Sequence, residues 1–275
     1  MHGLAISSAA ACLMYTTVLD LFRLSVFEND SIFLSFVEIM SCGVLFLVAK
    51  YSEGIPQPLG MIAEIAIVIA SFGITHRMKS FYVSGTVFPV VNLDGKVFII
   101  TGSNTGLGFE TAKQIVSMGG TVVLACRSVE KAKAAQESII SITRCSPTKV
   151  IVLKLDLCGF DSVRKFVKEF RSLSLPLNCL INNAGVMMQD RELTQDGFEM
   201  VFTANHLSHF LLTNLLMPDL EKTSGRVVNV TSSLHKTLKS FDFTDVMSER
   251  SYSIFGTYAQ TKLANILFTT ELQKR

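Results

Sequence analysis

The chain has 275 residues, 49% of them hydrophobic, with 25 basic and 23 acidic side chains for a net charge of +2. So small a surplus, without a basic block, leaves out a nucleic-acid binder recognised by its electrostatic footprint. The six cysteines have no paired spacing, which leaves out a disulfide framework or zinc site and fits a thiol-keeping cytosolic face.

The first eighty residues contain three apolar runs, at 3–19, 31–49 and 59–75, each close to the length needed to cross a bilayer. Only His2 precedes the first run, so the basic n-region of a cleaved signal is missing. Glu38 and Glu64 sit inside the second and third runs, where an acid costs about 2.5 to 3.5 kcal/mol near the membrane centre. Neighbouring Leu, Ile, Phe and Val offset that cost, so residues 1–80 are expected to be a membrane anchor of one to three transmembrane helices. If all three cross, Arg23, Arg77 and Lys79 fall on the side of the following domain and Lys50 falls opposite. The positive-inside rule then turns that domain toward the cytosol. Residues 81–93, with Gly85 and Pro89, read as a linker into a domain at 94–275.

From Lys96 onward, short β-branched runs alternate with amphipathic stretches. The pattern predicts strands at 97–101, 121–125, 150–154, 179–182 and 226–231, and helices at 107–118, 129–141, 160–172, 199–220 and 258–273. Such alternation implies an α/β fold, a Rossmann-type doubly wound parallel sheet covered on both faces.

The first strand breaks into Thr101, Gly102, Ser103, Asn104, Thr105, Gly106, Leu107 and Gly108 before the first helix. A strand feeding a glycine turn and a helix start presents backbone N–H groups and a positive helix end to a pyrophosphate. The spacing is Gly-x-x-x-Gly-x-Gly rather than the common Gly-x-Gly-x-x-Gly, and an ordinary glycine turn is the plain alternative. At the tip of the second strand, Arg127 follows Cys126 with no acid until Glu130. An acid there would accept from a ribose 2′-hydroxyl, whereas an arginine fork suits a 2′-phosphate, so NADP(H) is favoured over NAD(H). A solvated surface arginine is the alternative.

Further along the chain stand Asn182, Asn183, Ala184 and Gly185 after the fourth strand, the pair Ser232 and Ser233 after the fifth, and the segment Tyr258-Ala259-Gln260-Thr261-Lys262. Together with the glycine turn, these resemble the short-chain dehydrogenase/reductase family over residues 92–275. Leu124-Ala125-Cys126-Arg127-Ser128, Asn205-His206-Leu207-Ser208-His209-Phe210 and Lys262-Leu263-Ala264-Asn265 resemble its retinol-dehydrogenase-like branch. Residues 181–188, 196–199 and 209–216 are similar to a polyprenol-oxidising member of the same family.

Alcohol–carbonyl interconversion needs a group that exchanges the hydroxyl proton while a nicotinamide handles the hydride. Tyr258 and Lys262 stand four apart and so share one face of a helix. A nearby ammonium favours the phenolate form of a phenol whose ordinary pKa is about 10, which makes Tyr258 the proton donor and acceptor. The resemblance implies that Lys262 also bonds the nicotinamide ribose and that Ser232, with Ser233 as the alternative, faces the substrate oxygen. It implies that Asn205 anchors a water in the proton relay, although a mid-helix Asn is otherwise a polar-face residue. Asp156, with Leu157, would meet the adenine by the same resemblance, a capping aspartate being the plain reading. Asn183, Ala184 and Gly185 let the backbone approach the cofactor. His206, His209 and His235 lack the acids or cysteines that would complete a metal site and read as structural or substrate-proximal. Met187 and Met188 read as packing or substrate wall.

The resemblance therefore implies a membrane-anchored NADP(H)-dependent oxidoreductase for a lipophilic alcohol and its aldehyde or ketone, of retinoid or polyprenoid type. The endoplasmic reticulum membrane is the usual place of anchored relatives, and a homodimer is allowed. The chain stops thirteen residues after Lys262, where relatives continue, so a domain incomplete at its C-terminus is expected. A truncated, catalytically silent membrane protein is the alternative from a different class.

Overall fold

A computed structural model describes residues 90–274. The three expected membrane spans and residues 81–89 of the linker lie outside the described residues, among which no helix is long and apolar enough to cross a membrane.

In chain order the elements are β1 (Val97–Thr101), α1 (Gly106–Ser117), β2 (Thr121–Cys126), α2 (Val129–Thr143), β3 (Val150–Lys154), α3 (Phe160–Ser172) and β4 (Cys179–Asn182). There follow α4 (Met200–Phe202), a π turn (Thr203–Leu207), α5 (Ser208–Glu221), β5 (Arg226–Asn229) and α6 (Ile254–Leu272). The strands form one sheet in the order β3-β2-β1-β4-β5, and every pairing is parallel. The direction of winding reverses between β1 and β4, which opens a crevice at the carboxyl ends of those strands.

Strand alternation divides the core into two layers. Ile99, Val123 and Leu180 point to one face and pack with Val163, Phe166 and Phe170 of α3 and Leu212 and Leu216 of α5. Ile100, Val122 and Leu124 point to the other and pack with Ala112, Ile115 and Val116 of α1 and Ala132 and Ile139 of α2. Helix α3 forms because Val163, Phe166, Val167 and Phe170 recur at helical spacing. Burying a side chain such as Phe166, which is fully covered, contributes about 1.5 to 3 kcal/mol. Gly159 has no side chain to cap that helix, and Asp196 Oδ2 instead accepts from Phe160 N at 3.1 Å.

Two expected helices depart most from the observed ones. The single helix expected at 199–220 is interrupted by the π turn around Asn205. Its poorer backbone geometry is offset by side-chain bonds: the Asn205 carbonyl accepts from His209 Nδ1 at 3.1 Å and Asn265 Nδ2 at 3.2 Å. The last helix begins at Ile254 rather than 258, because Ser253 Oγ caps it by accepting from Gly256 N.

Candidate active site

The glycine turn lies at the winding reversal. Gly102 and Gly106 have φ of +64° and +59°, which glycine adopts without a Cβ penalty. Gly102 N donates to Ala125 O, and Ser103 Oγ, fully buried, donates to Ile100 O at 2.9 Å, so the turn is tied to β1 and β2. A Cβ on Gly108 would lie 2.5 Å from Asn183 Nδ2 and 2.8 Å from Gly102 O. Thr105, at the N-cap of α1, makes no side-chain cap bond, while Thr105, Gly106 and Leu107 are exposed. The first-turn amides of α1 therefore have no side-chain cap competing with a diphosphate, and a dinucleotide fits this cradle.

Arg127 is exposed at the end of β2, beside the half-buried Cys158 thiol. Asp156 Oδ1 accepts from Cys158 N at 3.0 Å, a local turn bond rather than a helix cap, since Gly159 is the N-cap of α3. Leu157 is buried, and its carbonyl accepts from Ser208 Oγ of α5. Asn183 and Ala184 donate their backbone N–H groups to Thr101 Oγ1, both at 2.9 Å, and Asn183 Nδ2 donates to Thr101 O at 2.8 Å. The segment after β4 is thus bonded to the last residue of β1, and Gly185 is left exposed beyond it.

On α6, the Lys262 Nζ lies 5.4 Å from the Tyr258 ring centroid. Lys262 is 2% exposed, and burial pulls its ammonium below the ordinary lysine range. Its Nζ donates to Val230 O at 3.2 Å, and Thr231 Oγ1 donates to its carbonyl at 3.0 Å. These two bonds clamp the exit of β5 to α6 and deliver Ser232 beside them. Ser232 is half-buried and caps a single turn, Ser233–Thr237, with its Oγ accepting from Leu234 N. Ser233 is exposed. A Cβ on Gly185 would be 3.4 Å from Lys262 Nζ and 3.6 Å from Asn205 Oδ1, so the amine, the amide and the glycine backbone meet at one point.

The loop after β4 and the loop before α6 pack against each other. Tyr252 Oη donates to Met188 O at 2.9 Å and Arg191 Nε to Met247 O at 3.1 Å. Val186 and Met187 are exposed on that wall. His206 bonds Asn265 and packs among Phe202, Phe210 and Phe268. Among the described residues, no group of three or more His, Cys, Asp or Glu could hold a metal ion. Sequence reasoning placed Thr101 only at the start of the glycine turn and missed its hold on Asn183 and Ala184, and it missed Tyr252 altogether; a threonine closing a strand and a tyrosine in a loop carry no distinguishing spacing.

A Rossmann-type sheet whose crevice joins a phosphate cradle to a tyrosine–lysine pair defines a dinucleotide-dependent oxidoreductase. The chain belongs to the short chain dehydrogenase family, whose profile matches residues 96–275, and within it to the retinol-dehydrogenase-like branch. It is 43% identical to retinol dehydrogenase 11 of Mus musculus over 217 residues, 78% of this chain and 68% of that protein. It is 42% identical to retinol dehydrogenase 12 of Homo sapiens over 220 residues, 78% of this chain and 69% of that protein. Retinol dehydrogenase 11 of Homo sapiens is 44% identical over 200 residues, 72% of this chain and 62% of that protein. The chain thus spans about two thirds of the length of these relatives. A solved structure of a protein from Mycobacterium Paratuberculosis is 36% identical, with a TM-score of 0.58 over 69% of this chain and 67% of that one. The L-sorbose reductase of Gluconobacter frateurii, 22% identical, shares the fold with a TM-score of 0.54 over 67% of this chain and 65% of that one.

Proposed function

We propose that the protein is a membrane-anchored, NADP(H)-dependent oxidoreductase that interconverts a lipophilic alcohol with its aldehyde or ketone, a retinoid or polyprenoid being the substrate class. The observation that carries this reading is the buried Lys262 amine beside the Tyr258 ring, at the point where Gly185 and Asn205 meet. The glycine turn, Asn183, Ala184, Gly185 and Asp156 with Leu157 would hold the dinucleotide, and the Arg127 fork would take a 2′-phosphate. When bound, the dinucleotide supplies or accepts the hydride.

In the reductive direction, the Tyr258 hydroxyl donates its proton to the carbonyl oxygen, and Ser232 Oγ donates a hydrogen bond to the same oxygen as charge develops there. Lys262, poorly solvated, stabilises the phenolate left on Tyr258. In oxidation the phenolate takes the alcohol proton. Asn205 holds the backbone beside the lysine and would anchor the water through which Tyr258 is reprotonated. Val186, Met187 and Met188 give the substrate side an apolar wall, in keeping with the retinol dehydrogenase relatives. The apolar runs of residues 1–80 would place the domain at a membrane where such substrates dissolve, the cytosolic face of the endoplasmic reticulum, as a monomer or homodimer.

The test is titration of NADPH into the purified 275-residue protein, followed by turnover with retinal and a polyprenal. Saturable NADPH binding and NADPH-dependent reduction are expected. A chain that binds no NADPH would be the silent membrane protein instead.

A further inference from the structure

His209, on the first turn of α5, is 2% exposed and sits between three parts of the site. Hydrogen-bond counting at Thr101 assigns its tautomer. The Thr101 hydroxyl has two lone pairs and one proton. Both lone pairs are taken by the N–H groups of Asn183 and Ala184. Its proton is left for His209 Nε2 at 2.9 Å, a better acceptor position than Ile181 O at 3.5 Å. Nε2 is then bare, and the ring carries its proton on Nδ1, which donates to the Asn205 carbonyl in the π turn at 3.1 Å. The two assignments agree, since each ring nitrogen meets a partner of the opposite kind. Burial pushes this imidazole down to about 4, and the neighbouring charge of Lys262 acts in the same direction, so the ring stays neutral.

We propose that His209 is a positioning residue with two separable arms: Nε2 fixes Thr101, and with it the cofactor-side backbone at Asn183 and Ala184, while Nδ1 fixes the π turn that aims Asn205. The inference rests on the dinucleotide-dependent reading of the site. Without the ring, the Thr101 proton would keep only the longer contact to Ile181 O, and the Asn205 carbonyl would keep Asn265 Nδ2 as its one side-chain donor among the described residues.

The two arms can be cut one at a time. In His209→Gln the side-chain amide reaches the Nε2 position and keeps the bond to Thr101; in His209→Asn it reaches only the Nδ1 position and keeps the bond to Asn205. Both variants are made in the 275-residue protein, and the NADPH dissociation constant, kcat for retinal and the thermal midpoint are measured for each. His209→Gln is expected to bind NADPH like the parent and to lose about five- to tenfold in kcat, the worth of one buried hydrogen bond. His209→Asn is expected to weaken NADPH by about the same factor and to lose less in kcat. A merely structural histidine would move binding and turnover together, in step with the thermal midpoint. That result, or parent-like values in both variants, overturns the proposal. If one variant fails to fold, Thr101→Val replaces the Asn variant, with Thr101→Ser as the rescue that keeps the hydroxyl. A parent protein that binds no NADPH would instead overturn the functional reading beneath it.

Discussion

Asn205 grips the backbone of Val186 with both ends of its amide: Oδ1 accepts from Val186 N at 2.7 Å, and Nδ2 donates to Val186 O at 2.9 Å. A third bond runs from Nδ2 to Thr261 Oγ1 on α6 at 3.2 Å. One fully buried side chain therefore ties the segment after β4 to the helix that carries Tyr258 and Lys262. An error in placing Asn205 would be shared by the substrate wall at Val186 and the proton-transfer pair, because both are referenced to it.

Replacing Tyr258 with Phe removes the group that exchanges the substrate proton while keeping the ring against Lys262. Turnover of retinal is expected to fall by about 10²- to 10⁴-fold, the usual worth of a positioned general acid. NADPH binding, read by fluorescence titration, should stay unchanged. Parent-like turnover in this variant would remove Tyr258 from the mechanism.

Arg127 is exposed beside the Cys158 thiol, within reach of solvent where a phosphate would approach. A hydrogen bond to a charged group contributes about 1.5 to 3 kcal/mol, so Arg127→Ala should weaken NADPH by roughly ten- to hundredfold. NADH binding should barely move. Equal losses for both cofactors would assign Arg127 a role in folding rather than in selection.

Gly108→Ala sets a methyl group against the Gly102 carbonyl and the Asn183 amide, at separations that neither the turn nor the segment after β4 can accept unmoved. Overpacking of this kind costs about 1 to 3 kcal/mol. The thermal midpoint should drop, and NADPH binding should weaken with it. Gly159→Ala, where an added Cβ meets nothing within 4 Å, is the control and should leave NADPH binding intact.

Stability should depend on pH through two histidines. Burial lowers both His209, to about 4, and His206, so the unfolded chain binds their protons more tightly than the folded one. The stability they contribute is complete above the ordinary histidine value of 6.5 and is lost as pH falls below it, toward about 4 in the case of His209. For His209 alone the loss amounts to roughly 3 kcal/mol. Asp242 and Asp245, both lowered from 3.8, titrate below that window. Urea midpoints measured between pH 7 and pH 5 should decline, and His209→Gln should flatten the decline to the share of His206. A flat profile in the parent protein would mean that these rings are not buried as described.

Most of the sheet is readable from the sequence because buried parallel strands are short β-branched runs with little else to be. β1, β3 and β4 fall at the expected residues, β2 runs one residue longer, and β5 stops at Asn229 because the chain bends to cap a turn with Ser232. Helix ends are less readable: Ser253 moves the start of α6 by four residues through a single cap bond. The π turn leaves no trace in hydrophobic periodicity, since its partners Val186, Thr261 and Asn265 lie in the segment after β4 and on α6, far along the chain. The same holds for His209. Its spacing from Asn205 is ordinary for a helix, and only the three-dimensional meeting with Thr101 distinguishes it from the half-buried His206.

Winding an additional residue into the run from Met200 to Glu221 turns everything after it by about 100° relative to an unbroken helix. Deleting one residue between Thr203 and Leu207 would restore a more regular ladder of backbone bonds and, in doing so, swing the amide away from its grip on Val186. Local regularity and correct aim are in conflict at this bend. Sequence changes that make the stretch a better helix are therefore changes that a working site should resist.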